Sequence, residues 1–508
     1  MHQILGFRRR GYRTTLAPSA NRRLEIPCEA AGKANHWMLG RLWGGFAAPD
    51  RGWRWAPLLL FLATVTYWVF AERAADKYPN YMSNEATVVL RTPPAALLGP
   101  LVMPDQPDYQ VFYPLGYNLL VAVDRFIIAP IALGPQATDP GVFSKSGSRL
   151  AWVELTWLGL IAAACFFFLK RLTDNRKAAL IGTAYLGLNH GFSHGLYFVT
   201  SFGVYPMLLG VMLALDALAE VCRGSSPPSP RQFLRVAFGV VVAVLSYGQA
   251  GALPVVMIVV TVATIFYLRR PVRQLGSTGL FLPVIGMAIF LYMQVVDGLH
   301  VTSQVSEEQF VFSYPSVLQM IEDMILNISF HIAYGLDSIF IPWPMFSVSV
   351  LGNMDMNIYN RDNTFNAQFP NIAYRTLGLW YVGILFTIAV WLSVKLILVL
   401  YKERGRVENL PAVFGLALFW GGFFMHIPIM FRDYFLIPGH DIGYKAAQSH
   451  LGVAVLVAWV AARWLLPWAA RRLPGHQGFV IAVCCCWLLL CNFSKVALNA
   501  GFGFRYPW

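Results

Sequence analysis

FYPLGYNLLVAVDRFIIAPIALG, residues 112–134, is almost a membrane span, yet Pro114, Asp124, Arg125 and Pro130 interrupt it. Whether it crosses a bilayer or lies along its surface sets the direction of every later segment. The surrounding chain leaves no doubt that a bilayer is involved. Of its 508 residues, 57% are hydrophobic and 13% charged, and the mean hydropathy is +0.52. Runs of roughly 17–25 apolar residues recur, the length a helix needs to cross about 30 Å of hydrocarbon.

Apolar segments stand at 55–71, 150–169, 178–192, 203–221, 236–250, 252–268, 277–297, 376–400, 411–430, 447–466 and 477–497. Short basic or turn-rich breaks separate many of them: KRLTDNRK (170–177), RGSSPPSPRQ (223–232), RRPVRQ (269–274), YKERGR (401–406) and RRLPG (471–475). The expected fold class is an all-α polytopic membrane protein of about 11 transmembrane helices with two large external loops. No internal repeat is visible.

Charge decides the opening question. With the N-terminus inside and 112–134 lying flat, 27 of 39 Lys and Arg are cytoplasmic. If 112–134 crosses, only 18 of the 39 remain inside, and KRLTDNRK and YKERGR are exported. Cytoplasmic loops of membrane proteins are enriched in Lys and Arg, so the flat, interfacial helix is the expectation. The N-terminus is then cytoplasmic and the C-terminus external.

The organisation follows. Residues 1–54 form a basic cytoplasmic tail, and 55–297 an N-terminal transmembrane module whose first external loop is 72–149. Residues 298–375 form a second, acidic external loop, and 376–508 a C-terminal transmembrane module. Within the second loop, MILNISFHIAYGLDSIFIPWPMFSVSVL (324–351) is apolar enough to touch the membrane. Its Asn, His, Asp and two Pro residues argue against crossing.

The net charge of +13 is the signature of those cytoplasmic loops, so no nucleic-acid partner is expected. Cys165, Cys484, Cys485, Cys486 and Cys491 lie in apolar runs, Cys222 ends one and Cys28 is in the tail, which is no disulfide framework. The first 54 residues are polar and carry ten Lys or Arg, unlike a cleavable signal peptide. RRRGYR within them suits anionic headgroups or a free arm.

Charged groups near external clefts are the site candidates, because burying them in a membrane is costly. Glu85 opens a short apolar run some fourteen residues beyond the first segment. It suits a general base near the surface, or a carboxylate balancing a helix dipole. Asp76 is nearer the segment but sits beside Lys77. Asp105 and Asp108 form a D-x-x-D pair that suits a divalent cation such as Mg or Mn, though a Pro-rich turn uses Asp as readily.

His190 and His194 in LNHGFSHGLYFVTSFGVYP stand four apart, on one face if the stretch is helical, a spacing that could join a metal site, though no H-E-x-x-H accompanies them. They are candidates for substrate binding, or hydrogen-bonded interface histidines. FRDYFLIPGHDIGYK brings Arg432, Asp433, His440, Asp441 and Lys445 into one external connection. Arg432 and Lys445 suit a lipid phosphate, since Arg engages two oxygens at once, or plain headgroup anchoring. Arg149 heads the second segment, one turn and a residue before Glu154, and a structural pair is the simpler reading. Asp216, near a cytoplasmic end, is expected to be solvated or packed between helices.

One span, a long external loop with an acid, an interfacial helix near a proline and an Arg at the head of the next span form a recognisable order. It resembles the GT-C class of integral-membrane glycosyltransferases, which includes protein O-mannosyltransferases and the lipid A aminoarabinose transferase. NEATVVLR (84–91) resembles that class's D-E-x-x-Y-x-x-x-x-R stretch, and FYPLGYNLL (112–120) its P-P-x-x-Y-W-L segment. RLAWVELTWLGLIAAACFFFLKRLTDNRKAALIGTAYLGL (149–188) resembles its second and third spans. The likeness covers roughly residues 55–222. Glu85 takes the place of the second acid, and Asn84 stands where the first would be. SFGVYPM lacks the acid the class often has before its fourth span.

The resemblance implies a polyprenyl-phosphate-linked sugar as donor. Arg149, Arg432 or Lys445 would hold its phosphate, and Glu85 or Asp76 would deprotonate an acceptor hydroxyl. It implies a cell-envelope role at a bacterial inner membrane, and names no protein partner. Two rivals stand beside it. A transporter or flippase of a lipid-linked or small solute would place ionisable groups at mid-bilayer. An O-antigen-type polymerase or ligase would use external arginines, of which 298–375 offers Arg361 before the border residue Arg375.

Overall fold

The structure is a computed structural model. It describes residues 52–74, 101–103, 106–111, 113–123, 126–127, 130–131, 134, 148–189, 192, 202–224, 227–302, 325, 328–329, 332–333, 335–340, 342, 372–424 and 446–501.

Each of the eleven apolar segments holds a helix. In chain order these are α1 (Ala56–Ala74), then, after a short α2 (Tyr117–Val123) in the first loop, α3 (Ser148–Thr173), α4 (Arg176–Leu188), α5 (Val204–Arg223) and α6 (Pro230–Ser246). There follow α7 (Ala252–Leu268), α8 (Leu282–Thr302), α9 (Ile372–Lys402), α10 (Leu410–Phe424), α11 (Ala447–Val460) and α12 (Gln477–Gly501). Among the described residues, five stretches, Trp53–Ala71, Val153–Thr173, Val204–Arg223, Val382–Lys402 and Ala447–Arg472, are long and apolar enough to cross a membrane. A helix satisfies its own backbone polar groups, which hydrocarbon demands.

An all-helical chain is not the whole of it. Among the described residues, β1 (Leu101–Met103) and β2 (Gln106–Val111) form an antiparallel pair inside the first loop. Leu101 faces Val111 and Met103 faces Gln106, with a register irregularity between Val102 and Met103. A two-stranded sheet has only edges, so Pro107 is tolerated in β2.

Two helix details depart from the expected bounds. α6 begins at Pro230, six residues before the apolar run, because Ser229 caps it. The Ser229 hydroxyl accepts from the Gln232 backbone N–H, and the Gln232 side chain accepts from the Ser229 backbone N–H. That is a capping box with proline at the first position, where its missing N–H costs nothing. The second detail is a pair of π-helical turns, Gly276–Phe281 before Leu282-Pro283 and Ala461–Leu465 before Leu466-Pro467. A helical proline lacks its N–H and presses on the carbonyl four residues back, and a widened turn relieves both.

Packing sorts the helices into centre and rim. In the α5 window 78% is buried, against 22% for α9. α9 turns Trp380, Ile384, Trp391 and Ile397 outward, an apolar face suited to lipid. Between helices in lipid there is little hydrophobic drive, so close backbone approach through small residues does the joining. α5 and α6 meet this way: a Cβ on Gly210 would stand 2.5 Å from the Ala243 nitrogen, and one on Gly239 2.5 Å from the Ala214 nitrogen. α10 and α11 repeat the device, a Cβ on Gly452 falling 2.4 Å from the Phe419 nitrogen.

The helix ends fall into two groups. At one end the basic breaks converge. Arg171 and Arg235 both pair with Asp216, at 2.6 and 2.5 Å, Arg235 also reaches Glu220 at 2.9 Å, and Arg223 donates to the carbonyls of Arg171 and Leu172. Arg270 donates to the Arg223 carbonyl at 3.0 Å, and Lys177 to the Gln477 side chain. At the other end, Tyr67 and Trp68 of α1 donate to the carbonyls of Leu188 and Gly187 at the close of α4.

α1 therefore runs from the basic end to the other, and α3 runs back from Trp157, packed on Phe202 ahead of α5, to Arg171. The close of α1 and the start of α3 thus lie at the same end of the bundle. The start of 112–134 is anchored there too. The Leu115 N–H donates to the Leu245 carbonyl at 3.0 Å, Gly116 lies against the Ser246 carbonyl, and Tyr113 packs on Tyr247. Leu120 is buried while Leu119, Phe126, Ile127 and Ile131 face outward.

Candidate functional site

At the end away from the basic breaks lies a buried polar cluster. Its frame is α4, whose last turn carries Tyr185 and whose C-cap is Asn189, four residues on and so on the same face. His450, in the first turn of α11, joins them. The Tyr185 hydroxyl is 3.2 Å from His450 Nδ1, and Asn189 Nδ2 is 3.3 Å from that same nitrogen. An amide NH₂ only donates, so the network assigns Nδ1 as acceptor and Nε2 as the protonated nitrogen. Tyr185 has one hydroxyl proton, which it shares between His450 Nδ1 and the Gly335 carbonyl, also 3.2 Å away.

That last bond draws part of 324–351 into the bundle. Ile332, Ala333, Asp337 and Ser338 are each fully buried. Asn492 of α12 donates to the Ser338 carbonyl at 3.1 Å, and Trp487 to the Ile339 carbonyl at 2.7 Å. The expectation of a segment touching the membrane thus becomes, for 335–340, a helix docked against α4 and α12. Asp337 stands close enough to act electrostatically on Tyr185. Glu154 of α3 is equally buried, and both residues take part in further interactions. Buried charge of this kind is held only where it is satisfied.

The cluster is closed to solvent. Its geometry suits holding three chain segments in place more than meeting a substrate. One segment begins at Asn189 and carries the connection with His190 and His194. The second ends at Ala446, four residues before His450, and carries Arg432, His440 and Lys445. The third is the stretch around Gly335.

The sequence-derived candidates themselves stand as follows. Glu85, Asp76, Asp105, His190, His194, Arg432, His440 and Lys445 lie outside the described residues, as do Asp433 and Asp441. Arg149 falls in the first turn of α3 and Asp108 in β2, with their side chains outside the description. Among the described residues no three His, Cys, Asp or Glu side chains converge to hold a metal ion. Asp216 is packed between helices and doubly paired.

Tyr185, Asn189, His450 and Asp337 were not candidates from sequence. The available signal was a polar residue within or beside an apolar run, as at Asn189, His450 and Asn492.

The basic end has its own electrostatics. Glu403, just past α9, accepts from Asn409 at 2.8 Å and from Arg463 at 2.9 Å, with Arg406 at 3.6 Å. The Asn409 hydrogen bond first, then the two guanidiniums, hold its carboxyl below the usual glutamate range.

Compared with known proteins, the chain matches no family model and no curated sequence.

Proposed function

We propose that the chain is a multi-pass membrane glycosyltransferase of GT-C type. It moves a sugar from a polyprenyl-phosphate donor to an acceptor hydroxyl at the non-cytoplasmic face. The observation that carries this reading is segregation. The basic breaks gather at one end of the bundle, while the anchored start of 112–134, the Tyr185–His450 cluster and Ala446, which closes the connection with Arg432 and Lys445, lie at the other. In this reading eleven helices span a bacterial inner membrane, with the basic end in the cytoplasm.

The donor enters sideways from the outer leaflet, its phosphate held by Arg432, Lys445 or Arg149. Glu85, with Asp76 as the alternative, takes the acceptor hydroxyl's proton. The freed oxygen bonds to the anomeric carbon as that carbon's bond to the phosphate oxygen breaks. The lipid phosphate leaves with the electron pair, and the configuration inverts. A divalent cation would assist departure of the phosphate; Asp105 and Asp108 are its sequence candidates. A positioned base contributes roughly 10²–10⁴-fold, and cations at the leaving phosphate add to that.

A second reading, a transporter or flippase of a lipid-linked or small solute, draws on the full burial of Glu154 and Asp337 among the helices. Mass spectrometry of lipid-linked sugars and surface glycans, with and without the gene, separates the two. Transfer predicts accumulated donor lipid and a missing glycan when the gene is deleted. Unchanged glycans would overturn it in favour of transport.

A further inference from the structure

At the basic end, where α4 begins, a cavity of about 510 Å³ opens outward between α4, the helical turns Ala461–Arg472 that follow α11, and the start of α12. Its walls divide by chemistry. One side is the first turn of α4, with Arg176 and Lys177; the floor is Ala462, Leu466 and Pro467; Trp53 closes the side nearest α1.

The polar wall favours an anion. Asn175 caps α4, accepting from the Ala178 N–H at 3.0 Å, and with Arg176 and Lys177 it puts the positive end of the helix dipole in the lining. Lys177 is bonded to the neutral Gln477 side chain, so its charge is not cancelled there. Asp174, the one acid among the described lining residues, also interacts with Arg223 at the next helix end.

The apolar floor has no use for a free ion. It matches the upper acyl chain and glycerol of a lipid. The same segments turn Trp55, Trp464 and Trp468 outward, each at least 48% exposed, and tryptophan marks the depth at which headgroups sit. We propose that this cavity binds the phosphate headgroup of an anionic phospholipid from the leaflet at the basic end. This site lies at the opposite end from the sugar-transfer region and does not depend on that activity.

The test uses the full chain purified in detergent, with native mass spectrometry reading bound lipid. The probes are dioleoyl phosphatidylglycerol, dioleoyl phosphatidylcholine and inorganic phosphate. Wild type should retain phosphatidylglycerol over phosphatidylcholine. R176Q/K177Q should weaken it roughly thirtyfold, on the order of fivefold per cation near a charged surface. R231Q, removing an exposed charge at the same end, should leave binding unchanged. A470W fills the opening from an exposed position and should abolish binding with the charges intact, which decides the matter if the double variant does not fold. Equal retention of both lipids, equal loss in R231Q, or full binding in A470W would overturn the proposal. Competition by inorganic phosphate alone at equal concentration would reassign the site to a free ion and overturn it too.

Discussion

Tyr185 and His450 stand 265 residues apart in the chain and 3.2 Å apart in space, hydroxyl oxygen to ring nitrogen. Through that contact the end of α4, the start of α11 and the segment around Gly335 share one hydrogen-bond network. Polar networks of this kind are sensitive to losing a single member, since each remaining group is left buried without its partner.

Tyr185→Phe removes the donor to the Gly335 carbonyl. The expected cost is about 1 kcal/mol in unfolding free energy, within the range for a buried interhelical hydrogen bond in membranes. Combined with His450→Ala, the two losses should not add, leaving a coupling of roughly 0.5 kcal/mol or more. Unfolding of the purified protein, single variants against the double, measures it. Strict additivity would mean the two residues do not act together.

Gly239→Val places a side chain where a Cβ already meets the Ala214 nitrogen at 2.5 Å. Forcing α5 and α6 apart should cost about 1–3 kcal/mol or more. Gly383→Ala on outward-facing α9, where a Cβ meets nothing within 4 Å, should be neutral or stabilise by up to about 1 kcal/mol. Thermal melts of both variants compare them directly. Equal losses would remove the close crossing as the cause.

Glu403 predicts a pH dependence of stated sign. Its folded-state pKa is depressed, chiefly by Asn409 and then by Arg463 and Arg406. Its contribution is therefore present above the unfolded glutamate value, roughly 4.3, and is lost as pH falls through the lower folded value. Melting temperature followed from pH 6 downward should fall less steeply in Glu403→Gln than in wild type. Parallel curves would show that this carboxylate carries none of the acid sensitivity.

Sidedness can be read by labelling single cysteines in a background free of the native ones. Lys402→Cys, exposed at the basic end, should react from the cytosolic side only. Ile131→Cys, at a position 82% exposed, should react from the opposite side only. Both residues labelling from one side would place the first loop with the basic breaks and remove the proposed orientation.

Glu85→Gln should reduce sugar transfer by roughly 10²–10⁴-fold while expression and donor binding persist. Transfer assayed with membrane extracts and labelled donor lipid checks it. Full activity would exclude Glu85 as the base and turn attention to Asp76.

Much of the helix inventory was legible because each segment's apolar length is a local property. α1, α7, α11 and α12 begin within a residue of their apolar runs. α6 was placed late because the apolar run was followed and the cap was not, although Ser229, Pro230 and Gln232 spell a helix start. The β1–β2 pair escaped notice because Pro104 and Pro107 read as a turn. In the candidate site, the connections with His190, His194, Arg432 and Lys445 were legible as charged or polar breaks. The cluster that ties their ends together was not. Nothing in the periodicity of α4 singles out Tyr185, and His450 reads as one polar residue at a helix start.

By itself the sequence determined the helices and their ends: long apolar stretches close their own backbone hydrogen bonds, as hydrocarbon would demand, and short basic breaks mark where they stop. Both rules act within a segment or its flanks, so no partner need be known. Which helix meets which was decided only in three dimensions. Against lipid, one apolar face is as good as another, and the choice falls to shape: Gly210 against Ala243, Gly452 against Phe419, and the Tyr185 hydroxyl within reach of His450.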